Sequence, residues 1–240
     1  TGLDALGQTH ETIFVLDGAH EKFASGLKQL AAGGCRITVV SLTRSFGEAI
    51  ALMAGFEQAS GQVIVTLPAY NQIEGSGVHK LVEALDRCDF ATARRWPRAG
   101  GPLQRLRRGA FHGLLAWVTG LRFGDLGCGA RAFDRRVLEE IQLYGDQHRF
   151  LAVLADRQGF RVREVDVTQS SQDRFEGFYE PRAYARGFLD IFTVFFLVRF
   201  TKKPLRFFGM IGVSLFAVGA LLVGWLVIDR LFFGHGLTER

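Results

Sequence analysis

LTRSFGEAIALMAGFEQASGQVIVTLPAYNQ, residues 42–72, sets two short apolar runs on either side of a longer one, and that succession decides the fold. The run that closes at Leu42 and the run at 63–67 are short, rich in Val, Ile and Thr, and the second stops at Pro68, so both read as strands. Residues 46–59 between them read as a helix, and Ser45 followed three positions later by Glu48 is a capping-box signature for its start.

The alternation continues on both sides. The strand that closes at Leu42 spans 37–42; further strands are predicted at 12–16, 90–93 and 162–167, and further helices at 22–32, 77–86, 103–118 and 135–142. Strands that alternate with helices imply an α/β fold with a mostly parallel sheet covered on both faces. In such sheets ligands bind beyond the carboxyl ends of the strands, so the chemistry is expected in the loops at 17–20, 43–45, 68–74 and 94–102.

The C-terminal part follows another rule. Residues 207–228, FFGMIGVSLFAVGALLVGWLVI, carry no charge over 22 positions, roughly 33 Å of helix at about 1.5 Å per residue. Arg199, Lys202, Lys203 and Arg206 crowd the near flank, whereas Asp229 and Arg230 cancel on the far side, which predicts a transmembrane helix with residues 1–200 in the cytoplasm. Residues 184–200, YARGFLDIFTVFFLVRF, read as an interfacial helix, the alternatives being a core helix of the globular domain or an oligomer contact. The expected organisation is a globular domain over 1–182, a juxtamembrane segment over 183–206, a membrane helix over 207–233 and a tail over 234–240.

Composition fits that division. The net charge is +5 and 48% of residues are hydrophobic, yet charged residues run through the first two hundred positions, enough for one domain with its own core. Cys35, Cys88 and Cys128 lie far apart without CxxC spacing, which fits reduced cytosolic thiols better than disulfides or zinc. The histidines (His10, His20, His79, His112, His148 and His235) form no ligand cluster, so no structural metal is expected. No GxGxxG follows a strand, which argues against a membrane-anchored dinucleotide oxidoreductase. The chain opens at Thr1 with neither an initiator Met nor a cleavable signal pattern, as a fragment of a longer protein would.

The loops carry VLDGA (15–19), the run at 42–61, VIVTLPAYNQ (63–72), GDLGCGARAF (124–133), GFRVREVDV (159–167) and RFEGFY (174–179) in order. In this series the chain resembles the family 2 glycosyltransferases that act on polyprenyl phosphates, the group of dolichyl-phosphate mannose synthase and its undecaprenyl-phosphate relatives. The resemblance runs from Glu11 through the apolar helix. It implies a GT-A fold, Rossmann-like, that moves a sugar from a nucleotide sugar to a lipid phosphate by inverting direct displacement at the inner membrane. Such a reaction feeds cell-envelope glycan assembly, and no nucleic acid partner is expected.

The resemblance also shows departures. The first strand of the family, whose loop cradles the base, has no counterpart here, because residues 12–16 match the second strand. Leu16 stands where a first Asp is usual, leaving Asp17. The DxD motif, which holds the divalent cation on the diphosphate, aligns with Pro68, Ala69 and Tyr70, while Gln72 keeps its position. No metal site is therefore expected, with Gln72 the one weak candidate and Mg2+ or Mn2+ the ions for a non-standard site. Arginines are the alternative source of charge: Arg94, Arg95, Arg98, Arg105, Arg107, Arg108 and Arg174, of which the family pattern favours Arg94, Arg108 and Arg174.

The resemblance implies substrate contacts at Asp17, Ala69, Gln72, Arg94, Arg108 and Arg174. It places Asp125 and Arg131 at the reacting centre, with His148 and Arg149 as weaker acceptor-side candidates. An Asp beside glycines is also a common turn residue, and an arginine-rich stretch is often a solvated or headgroup-facing loop. Two readings stay open: an active metal-poor transferase, homo-oligomeric if its apolar helices associate, and a silent relative that binds nucleotide sugar or lipid phosphate as a scaffold.

Overall fold

Two β-branched runs, Thr12–Leu16 (β1) and Ile37–Ser41 (β2), lie in parallel in the computed structural model, Thr12 opposite Ile37 and Leu16 opposite Ser41. The structure describes residues 7, 9–33, 36–97, 109–110, 112–113, 116, 120–141, 143, 145–173 and 204–233. Helix α1 (Glu21–Ala32) joins these strands, and α2 (Glu48–Gln58) leads on to β3 (Val63–Thr66). Then come α3 (Gly75–Ala84), β4 (Phe90–Arg95), β5 (Arg131–Asp134), α4 (Arg136–Glu140), a 3-10 turn (Gly145–Phe150), α5 (Leu151–Gln158) and β6 (Val162–Val167).

The second sheet has the order β3-β5-β4-β6, with β5 antiparallel to both neighbours and β4 parallel to β6. The expectation of one mostly parallel sheet is thus corrected: β5 was not foreseen, and among the described residues no strand joins β1 to β3. Instead, Ser60 donates its amide and hydroxyl to the Glu11 carboxylate, each at 2.7 Å, tying the entrance of β3 to that of β1.

Residues opposed across a ladder share a face. Ala91, Ala93 and Ala132 therefore lie together, and with Val167, Ile73, Val78 and Leu81 they form the core beneath α3. The small strand residues let α3 come close. At Gly77 an added Cβ would sit 3.1 Å from Ile73 Cδ1 and 3.2 Å from Val167 Cβ. On the other face Phe90 stacks on Phe133 at 5.1 Å, and α5 buries Leu151, Ala152, Val153 and Ala155.

Gly159 ends α5 in the left-handed region at φ 96°, its amide bonding to Asp156 O while that of Phe160 bonds to Ala155 O. At the outer corner Arg161 donates its backbone amide and guanidinium to Asp89. The guanidinium hydrogen bonds draw the Asp89 carboxyl down to about 2.

The start of α2 also differs from expectation. Gly47, at φ 95°, precedes the helix, which begins at Glu48 with no side-chain cap, and the Ser45 hydroxyl goes to Asp17. No capping box forms. The positive φ at Gly47 turns Ser45 away from the helix end.

The chain divides into two units, Thr1–Val194 and Phe195–Arg240. The second holds α6 (Pro204–Phe233), whose stretch Phe208–Leu231 is long and apolar enough to cross a membrane. The helix predicted over 103–118 falls largely outside the described residues, and the segment 184–200 wholly so.

Candidate functional site

Three loops meet at the carboxyl ends of β3 and β4: 68–72 after β3, 124–130 before β5 and 168–173 after β6. The first leaves β3 through Pro68, Ala69, Tyr70, Asn71 and Gln72. Gln72 is buried, and both ends of its amide are engaged: Gly129 N–H donates to Oε1 at 2.7 Å and Nε2 donates to the Tyr70 hydroxyl at 2.5 Å. Thr66 Oγ1 donates to Gly129 O at 3.0 Å. The third loop, beyond β6, closes on the first. Ser170 N–H donates to Gln72 O, Glu74 N–H to Thr168 O, and Asn71 Nδ2 to Gln172 Oε1 at 2.8 Å.

Gln72 is the candidate for a non-standard Mg2+ or Mn2+ site, so the fit of a cation to these residues matters. Magnesium and its analogues rest on one or two carboxylates. The turn 68–72 supplies none, and the Gln72 amide is already engaged on both sides. Among the described residues no group of three His, Cys, Asp or Glu side chains could hold an ion. A divalent cation does not fit this loop.

Arg94 and Arg95, adjacent on β4, point to opposite faces. Arg94, half exposed, forms a two-pronged pair with Asp166 at 2.5 and 2.7 Å and lies 6.0 Å over the Trp96 ring. Arg95 points inward. Its Nε and Nη2 grip the Asp125 carboxylate at 2.6 and 2.9 Å, and Nη1 reaches Asp173 Oδ2 at 2.9 Å. The side chains of Arg95, Asp125 and Asp173 are 5%, 1% and 4% exposed. Burial alone would favour the neutral guanidine, but the hydrogen bonds and charge of Asp125, with Asp173 behind it, more than offset that and raise the Arg95 pKa.

Asp125 is therefore an ion-paired anchor rather than an unpaired carboxylate. Its own amide and that of Gly124 donate to Glu164. Arg131, its expected companion at the reacting centre, lies opposite Thr92 on β4 and so on the face away from Arg95. It is buried, donates Nη1 to His148 O at 2.7 Å, and its pKa is lowered by desolvation. His148 Nε2 meets Glu48 Oε2 at 3.0 Å, while His148 Nδ1 and Thr92 Oγ1 are buried without a hydrogen-bond partner. The structure thus brings Asp125 to Arg95 and Asp173, and Arg131 to His148.

Asp17 also has an internal task. Its carboxylate accepts the Ser45 hydroxyl at 2.8 Å and the amides of Phe46 and Gly47 at 2.7 and 2.9 Å, locking the loop after β1 to the loop after β2. These bonds, that of Phe46 foremost, hold its pKa below the usual value. Ala69 is exposed beside Tyr70. Arg108 and Arg174 lie outside the described residues.

Sequence reasoning missed the roles of Arg95, Asp173 and Tyr70. For Arg95 the signal was present: Ala91 and Ala93 are small, as an inward face beneath a helix requires, and the alternation puts Arg95 on that face. Asp173 and Tyr70 had no such signal.

Comparison with known proteins places this geometry. The profile described as Glycosyl transferase family 2 matches residues 3–142. Dodecaprenyl-phosphate galacturonate synthase of Rhizobium johnstonii is 26% identical over 96% of this chain and 70% of its own length. Undecaprenyl-phosphate 4-deoxy-4-formamido-L-arabinose transferase of Pseudomonas fluorescens is 30% identical over 95% of this chain and 66% of its own.

Among solved structures, glucosyl-3-phosphoglycerate synthase from Mycobacterium tuberculosis with phosphoglyceric acid matches at a TM-score of 0.54, with 17% identity over 78% of this chain and 68% of that one. The mannosyltransferase PcManGT from Pyrobaculum calidifontis with GDP-Man and Mn2+ matches at 0.50, with 16% identity over 91% and 71%. These likenesses show the GT-A fold. With the profile covering more than half of its length, the chain belongs to glycosyl transferase family 2.

Proposed function

We propose that the chain transfers a sugar from a nucleotide sugar to a polyprenyl phosphate by a single inverting displacement, at the cytoplasmic face of a membrane that α6 crosses. One observation carries this reading. The similarity to the dodecaprenyl-phosphate and undecaprenyl-phosphate enzymes runs along 96% and 95% of the chain, so it includes α6 as well as the sheet.

The chemistry suits a site without an unpaired carboxylate at Asp125. The acceptor phosphate is already anionic and attacks the anomeric carbon directly, so positioning and stabilisation of charge carry the rate. Arg95 fixes the loops on which both substrates would rest. Asp17, Ala69 and Gln72 support the donor side, and Arg94, Arg108 and Arg174 are the cations for phosphate. The loss of both DxD carboxylates favours a second reading, a silent binding relative, and one assay separates the two.

Membranes containing the protein are incubated with labelled UDP-, GDP- and dTDP-sugars and undecaprenyl phosphate, with Arg174→Ala as control. Label entering the lipid fraction, and lost in the variant, is expected. No transfer from any donor by folded, membrane-bound protein would favour the silent reading.

A further inference from the structure

The turn that leaves β3 presents a hydroxyl whose direction the backbone sets. Gly129 N–H donates to Gln72 Oε1, so the other end of that amide must be its NH2, and Nε2 donates to Tyr70 at 2.5 Å. Flipping the amide would set N–H against NH2. The phenolic oxygen therefore accepts, and its own proton remains for a further partner. A hydroxyl that accepts a hydrogen bond is polarised into a better donor.

The bracket holding it is firm. Gln72 is 5% exposed, its carbonyl takes the Ser170 amide, and Ile73 beside it is buried and bridges to Gln169. Tyr70 itself is 45% exposed, so a ligand can reach it. The donor thus stands at the carboxyl end of a strand, where ligands of such sheets bind, on a turn that offers no carboxylate for a cation.

We propose that the Tyr70 hydroxyl, presented by Gln72, binds the diphosphate of the nucleotide sugar in place of a divalent cation. The assignment rests on the reading above that the donor is a nucleotide sugar. As the acceptor phosphate oxygen forms its bond to the anomeric carbon, the bond from that carbon to the diphosphate oxygen breaks and the electron pair leaves with the nucleoside diphosphate. Tyr70 donates a hydrogen bond to the charge that develops there and keeps its proton. A neutral donor aimed at a forming oxyanion needs no counter-ion of its own.

The test is binding of UDP, GDP, dTDP and the matching monophosphates to the full chain in detergent micelles, by titration calorimetry, in EDTA and then in MnCl2. Tyr70→Phe removes one oxygen and keeps the ring, and its melting curve confirms the fold. At least one diphosphate should bind equally well in EDTA and in manganese. Tyr70→Phe should weaken that binding about tenfold or more, the scale of a hydrogen bond to a charged group. Its affinity for the monophosphate should hold to within about twofold, a split that a general loosening of the loop would not give.

Diphosphate binding that is unchanged in Tyr70→Phe, or that EDTA abolishes in the wild type, overturns the assignment alone. If wild-type protein binds no nucleotide under either condition, the nucleotide-sugar reading fails and takes the assignment with it.

Discussion

Arg95 shows how little a residue's type says and how much its side of a strand does. Of two adjacent arginines, the one at position 94 meets solvent and Asp166, whereas the one at 95 is sealed against two carboxylates. Replacing Arg95 with Ala leaves Asp125 and Asp173 buried without their cation, an expected loss of about 3–5 kcal/mol in denaturant unfolding. Arg95→Lys keeps the charge but not the fork and should fall between. Asp89 gives the corresponding pH prediction. Its folded pKa, about 2, lies below the ordinary 3.8, so its contribution is present above about pH 4 and lost as the pH falls toward 2. Unfolding midpoints for Asp89→Asn should show a shallower fall than wild type across that window. The carbon framework of such contacts was legible in the sequence, but partners 30 and 78 positions apart were not.

At the scale of elements, the strands at 12–16, 37–42, 63–67 and 90–93 were legible as runs of mostly β-branched or apolar residues, and the one at 162–167, VREVDV, as a segment half made of valine. β5 was not: RAFD holds only two apolar residues and begins and ends with a charge, and its pairing to β3 and β4 alone makes it a strand. The capping box failed for a related reason. The Ser45 hydroxyl could accept the Glu48 amide as a cap or donate to Asp17, 28 residues earlier, and Asp17 won. Gly77 is an exacting position in α3. A Cβ there would press on Ile73 and Val167, both buried in the core, so Gly77→Ala should lower stability by about 1–3 kcal/mol in urea melts, as overpacked cores do.

For the whole molecule, the apolar helix was the easiest feature to read, since 22 uncharged positions need no tertiary context. The sheet order was the hardest, because strand neighbours depend on crossovers rather than on local pattern. The chain should remain with the membrane pellet after alkaline carbonate extraction, and a chain ending at residue 203 should be released in larger part. Retention of both forms would place the anchor elsewhere.

The grip of Arg95 on Asp125 and Asp173 draws together segments that emerge from the ribosome at different times. Once the loop 124–130 has been made, Arg95 and Asp125 can pair, but the Nη1 donor lacks its native acceptor until the chain has passed β6 and delivered Asp173. Closing so long a loop costs chain entropy that must be met before the contact can offset it. The loops that carry Gln72, Asp125 and Asp173 therefore cannot reach their shared geometry until the chain has passed β6, and a chain ending just after β6 holds the strands of the sheet without a finished site.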